Sequence, residues 1–322
     1  MNTPRLTICS VYHSLNSKTL LEMNEELTRR LNPGASWTWL ACDNSPETAR
    51  IPVDPARFSV VRGIDHPVLE RIFVPPIDST YHHTLGLNAL LPHSGTRWAL
   101  FLDPDFFIVR PGWIGEVLDY MEARGLAAMG ATWHPAYYGK IRYAPAQYCL
   151  FIDGAQLPHR DLDFTPGYLS HDMFRGKNPH GTFPKKGTPL PARTLIQKIA
   201  RNILNRRDIG VSRDAGYAIS AGLLAGRLPY ECIPSVFKHP RPGPMTRIID
   251  RLLPDRWSYF PKKLGYYVTE GFREAGVFDF YAMGMEEHMW KGAPFATHIR
   301  NVWKRNDITK ELEVLREHLK GF

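Results

Sequence analysis

Runs of strand length, each closed by turn-forming residues, recur along the first part of this chain: LTICSVY (6–12), SWTWLAC (36–42), RFSVVRG (57–63) and RWALFLD (97–103). Helical spacing fills the gaps. Leu20, Met23, Leu27 and Leu31 fall on one face of a helix predicted over 17–31, with Ser17 as its N-cap. Further helices are predicted over 82–91 and 113–125, followed by the strand-like LAAMGATW (126–133). Apolar runs of this kind suit strands buried on both faces. Their alternation with helices predicts an α/β chain built on a mostly parallel sheet with helices on both sides. Ligands of such sheets bind beyond the carboxyl ends of the strands. Tyr12, Asp43 and Asp103 stand at three of those ends and can converge on one crevice.

From about residue 134 the pattern loosens. Pro, Gly, His and Lys crowd 154–192, where a long loop or insertion is expected. RTLIQKIARNILNRR (193–207) follows as a basic amphipathic helix, which either packs on the domain or lies on an anionic membrane. The expected organisation is one continuous domain, with residues 1–135 as the ligand-binding half. Residues 136–322 carry the insertion and a terminal helix.

At 322 residues, 43% hydrophobic and 22% charged, the chain suits a folded enzyme. No apolar stretch is long enough to cross a membrane as a helix, and the N-terminus reads as a first strand rather than a signal peptide. The four cysteines are scattered with no C-x-x-C pair, which argues against a disulfide framework or zinc site and fits a reducing cytoplasm. A net charge of +8 favours anionic partners. No zinc-finger, basic-zipper or RRM-type signature is present, so nucleic acid is not expected among them.

FLDPDFFIV (101–109) poses the sharpest chemical question, because it sets Asp103 and Asp105 in an otherwise apolar stretch. Unpaired carboxylates are costly to bury. Pro104 fixes the backbone between the acids and biases Asp103 toward extended geometry. Two carboxylates held this way repel unless a cation lies between them. Mg²⁺ or Mn²⁺ takes oxygen ligands and keeps positions open for substrate phosphates. A metal-bridged diphosphate, as in a nucleotide sugar, suits the site. A second acidic pair, Asp161 and Asp163, lies in loop-like sequence and reads as structural. His82 and His83 are adjacent, so on a helix they point about 100° apart and do not readily share one metal. No nucleophile elbow, P-loop or G-x-G-x-x-G occurs.

These residues resemble the GT-A glycosyltransferases, especially the family 2-like group, over about residues 5–133. LTICSVYHS is similar to that family's first strand, and WLACDNS to the end of its second, where Asp43 and Asn44 would contact the nucleotide. HHTLGLNALL, with Gly86, Asn88 and Ala89, resembles the helix before the metal motif. RWALFLDPDFFIVRPGWI resembles the motif itself most specifically. The resemblance implies a GT-A fold, a UDP- or GDP-sugar donor and a divalent metal bound through Asp103 and Asp105. It also implies an acidic catalytic base and a late histidine on the metal. Asp208 is the first candidate for the base, with Glu286 and Glu287 as rivals. His298 is favoured over His239 as the histidine, with Arg300 nearby for phosphate.

The reading is a hexosyltransferase-like enzyme, inverting if the base is correctly placed, that acts on a glycan or lipid-linked acceptor such as a growing polysaccharide. It would be cytoplasmic, with peripheral membrane contact possible through its basic surface. Two rivals stand beside it. A sugar nucleotidyltransferase would open with a Gly-rich loop that this chain lacks. A non-catalytic nucleotide- or glycan-binding relative would be expected to lose the metal acids.

Overall fold

The computed structural model describes residues 3–63, 77–134, 144–165, 215–224, 228–238, 266–267, 269–300 and 307–320. The helix predicted over 193–207, Asp208, His239 and most of the 154–192 segment lie outside them.

A seven-stranded sheet forms the centre. Its strands are β1 (Leu6–Tyr12), β2 (Trp37–Asp43), β3 (Ser59–Arg62), β4 (Trp98–Leu102), β6 (Ala128–Ala131), β7 (Cys149–Asp153) and β8 (Tyr230–Ile233). They run in the order β3-β2-β1-β4-β7-β6-β8. Every pairing is parallel except the two that β7 makes, with β4 and with β6. The sheet therefore draws strands from both sides of residue 135. A smaller sheet holds β5 (Phe106–Ile108), β9 (Ser235–Val236), β10 (Tyr266–Tyr267), β11 (Glu286–Trp290) and β12 (Ala293–His298), ordered β10-β9-β11-β12-β5.

Alternate residues of the central strands feed two cores, as period-two geometry requires. Leu6 and Ile8 of β1, with Trp98, Leu100 and Leu102 of β4, join one core. It also takes in α1 (Leu15–Leu31) and α3 (Trp113–Arg124). Cys9 and Val11, with Ala99 and Phe101, join the other. That core packs Leu87 and Leu90 of α2 (Ile77–Leu90) and Ile219 and Leu223 of α4 (Tyr217–Leu224). Helices thus cover both faces of a mostly parallel sheet, the α/β architecture expected from the sequence. A fifth helix, α5 (Thr309–Lys320), packs against α1. Among the described residues, no helix is long and apolar enough to cross a membrane.

Helix α1 begins earlier than expected. Ser14, not Ser17, is its N-cap, because Ser14 is extended and its hydroxyl accepts from the Ser17 amide. The Ser17 hydroxyl in turn accepts from the Ser14 amide at 2.9 Å, completing a capping box. The other expected elements shift by a residue or two, except α2, which starts five residues before the expected point.

Two packing features hold the edge of the sheet that carries the acidic pair. Asn24 of α1 is buried and donates to the Phe106 carbonyl at 2.6 Å, tying the helix to the chain just past the acidic pair. Gly86 of α2 lies so close to the sheet that an added Cβ would meet Val11 Cγ1 at 2.7 Å and Asn44 Nδ2 at 2.9 Å. On the other side of the sheet, the buried Asp153 carboxylate takes a two-pronged contact from Arg97 at 2.9 and 3.0 Å. Burial opposes its charge, but Arg97 and the Ala155 amide more than offset this and lower its pKa.

Two outcomes follow for stability. Gly86→Ala lowers the thermal midpoint, because Val11 and Asn44 are both buried groups and overpacking typically costs ~1–3 kcal/mol. Circular dichroism melts of the two proteins measure this. The folded pKa of Asp153 lies below its unfolded value, so its contribution is present above about pH 4 and fades as pH falls through the folded pKa. Asp153→Asn therefore melts lower at pH 7 and loses less further stability than wild type between pH 4 and pH 2.

Candidate active site

The chain passes from the large sheet to the small one through Asp103–Pro104–Asp105. The Asp103 amide donates to the Tyr148 carbonyl at 3.0 Å, and the Asp103 carbonyl accepts from the Phe106 amide at 3.0 Å, so the acids sit in a tight turn. Pro104 is buried, while both carboxylates stay partly exposed. The turn is anchored beneath by the Ser10 hydroxyl, which donates to the Leu102 carbonyl at 2.7 Å.

Strand pairing brings late residues to this turn. β12 runs antiparallel to β5 with His298 opposite Phe106, and β11 runs antiparallel to β12 with Glu286 opposite His298. The Ile299 amide also donates to the Asp105 carbonyl at 2.9 Å. His298 Nε2 consequently lies 3.4 Å from Asp105 Oδ1, while its Nδ1 lies 3.5 Å from Glu286 Oε2. The Arg300 guanidinium contacts Glu286 Oε1 at 2.7 Å and lies over the rings of Trp133 and Tyr148. From α2, His83 Nε2 reaches Asp103 Oδ1 at 3.1 Å. Both atoms of that contact are buried.

Each group responds electrostatically. Burial would raise the Asp103 pKa, but His83, then His298 and Arg300, lower it overall. Burial disfavours a charged His83, yet Asp103 and Asp105 together raise its pKa. For His298, burial and Arg300 both oppose the charged form, and Asp105 and Glu286 outweigh them. Burial likewise works against the Glu286 carboxylate, but Arg300 and His298 hold it well below the usual carboxylate range. His288, fully enclosed beside the Phe106 ring, is pushed down to about 3 by burial and is neutral.

The remaining sequence candidates fall as follows. Tyr12 and Asp43 stand side by side at the ends of β1 and β2. Asp43 Oδ1 accepts from the Ser45 amide and hydroxyl at 2.8 and 2.6 Å, and Arg62 lies 3.3 Å away. Asn44 is fully buried and donates to the His82 carbonyl at 2.8 Å, so it ties β2 to α2. Asn88 donates to Asp163 and Thr165 and accepts from the Phe164 amide at 2.9 Å, pinning the chain after β7. Those bonds also give Asp163 the structural role expected of the second acidic pair. Glu287 points away from Glu286: its two oxygens accept from the Phe272 and Tyr281 amides, each at 3.0 Å. Asp103, Asp105, Glu286, His298 and Arg300 are thus gathered in one place, and Glu287, Asn44 and Asn88 face elsewhere.

Two members of the cluster were not picked from sequence. His83 was set aside with His82. The two do diverge as helix geometry demands, His82 toward His13 with rings 6.0 Å apart and His83 toward Asp103. His288 shares a strand face with Glu286, an E-x-H alternation opposite His298 that could have pointed to it. Glu286, His288 and His298 bring one ligand atom each within 4.8 Å of one another.

No protein-family model matches this chain, and no curated protein does. Solved structures similar to it include the galactosyltransferase LgtC with donor and acceptor sugar analogs, at 10% identity and a TM-score of 0.44, over 98% of this chain and 96% of that one. Another is the mannosyltransferase PcManGT from Pyrobaculum calidifontis in complex with GDP-Man and Mn²⁺, at 11% identity and 0.37, over 70% and 65%. A third is TarS of S. aureus, at 8% identity and 0.33, over 50% of each chain. The chain therefore spans half of that TarS structure and less than two thirds of PcManGT.

Asn24 is the residue outside the cluster on which the acidic turn leans. Asn24→Leu leaves the buried Phe106 carbonyl without this donor, and loss of such a bond costs ~1–3 kcal/mol. The variant is expected to unfold at correspondingly lower urea concentration, with an unchanged slope of the transition.

Proposed function

We propose that this chain is a GT-A type glycosyltransferase. It uses Mn²⁺ or Mg²⁺ to move a sugar from a UDP- or GDP-sugar to a hydroxyl of a glycan or lipid-linked acceptor. The observation that carries this reading is the acidic turn at the carboxyl end of β4, where the Asp103 and Asp105 carboxylates each meet an imidazole nitrogen, with Arg300 ion-paired to Glu286 behind them. Asp103 Oδ1 is buried, with His83 Nε2 beside it at 3.1 Å, and a cation shared with Asp105 would offset the repulsion between the two carboxylates. The two carboxylates supply the hard oxygen donors that suit Mn²⁺ or Mg²⁺, and the imidazole adds one borderline nitrogen donor.

Asp103, Asp105 and His298 would hold the metal, which when bound neutralises charge developing on the departing nucleoside diphosphate. The nucleoside would lie beside the ends of β1 and β2, near Tyr12 and Asp43. Arg300 supplies a fixed cation for the diphosphate. Its stacking on Trp133 and Tyr148 helps keep the guanidinium in place. In this reading residues 1–135 bind most of the donor, His298 and Arg300 of the later half complete the diphosphate site, and the rest of that half receives the acceptor.

The base must sit within hydrogen-bond reach of the acceptor hydroxyl and have a pKa that lets it take the proton. Glu286 is paired with Arg300 and His298 and held at low pKa, which makes it a weak base. Glu287 is buried and occupied by two amides. Asp208 is therefore the acid assigned as base here, and transfer proceeds with inversion. A peripheral cytoplasmic location at a membrane fits the basic charge and a lipid-linked acceptor.

Incubation with a panel of UDP- and GDP-sugars and Mn²⁺ tests the reading. The expected result is release of nucleoside diphosphate from at least one donor, abolished by EDTA and restored by Mn²⁺. Asp105→Ala should lower the rate by roughly 100-fold or more, since even outer-shell changes at metal sites cost 10–100-fold. Release unaffected by Asp105→Ala would remove the metal role. Binding of nucleotide with no release from any donor would favour the non-catalytic reading.

A further inference from the structure

We propose that Glu286 is a positioning residue: it fixes the ring of His298 so that Nε2 faces the acidic turn, and it holds Arg300 in the same frame. The inference rests on the reading of His298 as a metal ligand. Glu286 stands directly across the β11–β12 ladder from His298, and the ladder sets which edge of the imidazole each neighbour meets. Nδ1 lies 3.5 Å from Glu286 Oε2, and Nε2 lies 3.4 Å from Asp105 Oδ1, on the opposite edge of the ring. A proton held on Nδ1 by the Glu286 carboxylate leaves the Nε2 lone pair free toward the turn. This carboxylate–histidine arrangement orients metal-ligating imidazoles in general.

The second oxygen of Glu286 is used as well. Oε1 meets Arg300 Nε at 2.7 Å, so one carboxylate joins the histidine of the metal set to the cation assigned to the diphosphate. Glu286 and His298 are both buried, and the Phe106 and Tyr148 rings pack on the imidazole with centroids 5.2 and 4.8 Å away. The ring therefore has little freedom beyond a flip, and the carboxylate is what tells its two faces apart. His288 approaches the same Glu286 oxygen at 3.9 Å, while both of its nitrogens are buried without a hydrogen bond. That leaves a competing arrangement, in which Glu286, His288 and His298 Nδ1 themselves hold the ion. It would turn His298 the other way in function and make Glu286 a ligand. The 3.4 Å approach of Nε2 to Asp105 favours the positioning role.

Mn²⁺ titrations of the full chain, followed by the electron paramagnetic resonance of free Mn²⁺ and by the nitrogen coupling of bound Mn²⁺, decide between these roles. Three substitutions separate reach from charge. Glu286→Asp keeps the charge but withdraws the carboxylate by one bond of about 1.5 Å. It is expected to lose about 10–100-fold in Mn²⁺ affinity and to weaken the nitrogen coupling. Glu286→Gln keeps an acceptor at full reach and is expected to lose less Mn²⁺ affinity than Glu286→Asp, with its nitrogen coupling intact. His288→Phe fills the same space and should bind Mn²⁺ as wild type does. Near-ultraviolet circular dichroism confirms that each variant is folded. Wild-type affinity in Glu286→Asp overturns the inference, and so does a loss in His288→Phe as large as that in His298→Ala. If Asp105→Ala abolishes binding in that case, the metal reading itself still stands. No Mn²⁺ binding by the wild-type chain overturns both.

Discussion

One backbone constraint organises the site: the three-strand register that lines up Phe106, His298 and Glu286 across β5, β12 and β11. Each of these strands is short, and two come from the last tenth or so of the chain, yet a ladder fixes side-chain direction to the residue. A slip by one position would turn His298 and Glu286 to the opposite face and leave the acidic turn without its imidazole. The turn itself is fixed from the other side, by Asn24, Ser10 and the Tyr148 carbonyl. Asp103 and Asp105 are therefore presented by the junction of two sheets rather than by a free loop.

The cost of this arrangement is concentrated polarity. Glu286, Glu287, His288 and His298 are all buried on neighbouring strands, where unpaired polar groups are expensive. Glu287 is compensated by two amides and Lys238, which makes it a fastener for the segment 271–281. Glu286 is compensated by Arg300 and His298. His288 has no hydrogen bond on either nitrogen and stays neutral, protected by its packing on Phe106. The two adjacent glutamates thus do different things because strand alternation sends them to opposite faces.

That polarity also explains what could be read from sequence. β1, β2 and β4 are buried on both faces by apolar cores, so their runs stand out in the sequence, and with them the place of the acidic turn. β11, EEHMW, is equally buried but carries polar residues inward, so no hydrophobic pattern marked it. β7 was hidden differently: it is the strand that runs antiparallel between β4 and β6, and its place follows from tertiary pairing alone. Asn44 and Asn88 lay in the stretches that resembled a donor site, and their amides bond to α2 and to the segment after β7. Short polar side chains at strand and helix ends serve the backbone as readily as a ligand. The N-cap moved from Ser17 to Ser14 for a similar reason, since two serines three apart can each cap the other.

The central claim is that Asp103, Asp105 and His298 form one metal seat at the junction of the two sheets. A crystal structure with a nucleotide sugar and Mn²⁺, using anomalous scattering at the manganese edge, tests it most directly. One anomalous peak is expected within about 2.0–2.3 Å of Asp103 and Asp105 oxygens and of His298 Nε2, beside the donor diphosphate. A peak among Glu286, His288 and His298 Nδ1, or a bound diphosphate with no metal beside the acidic turn, would contradict it.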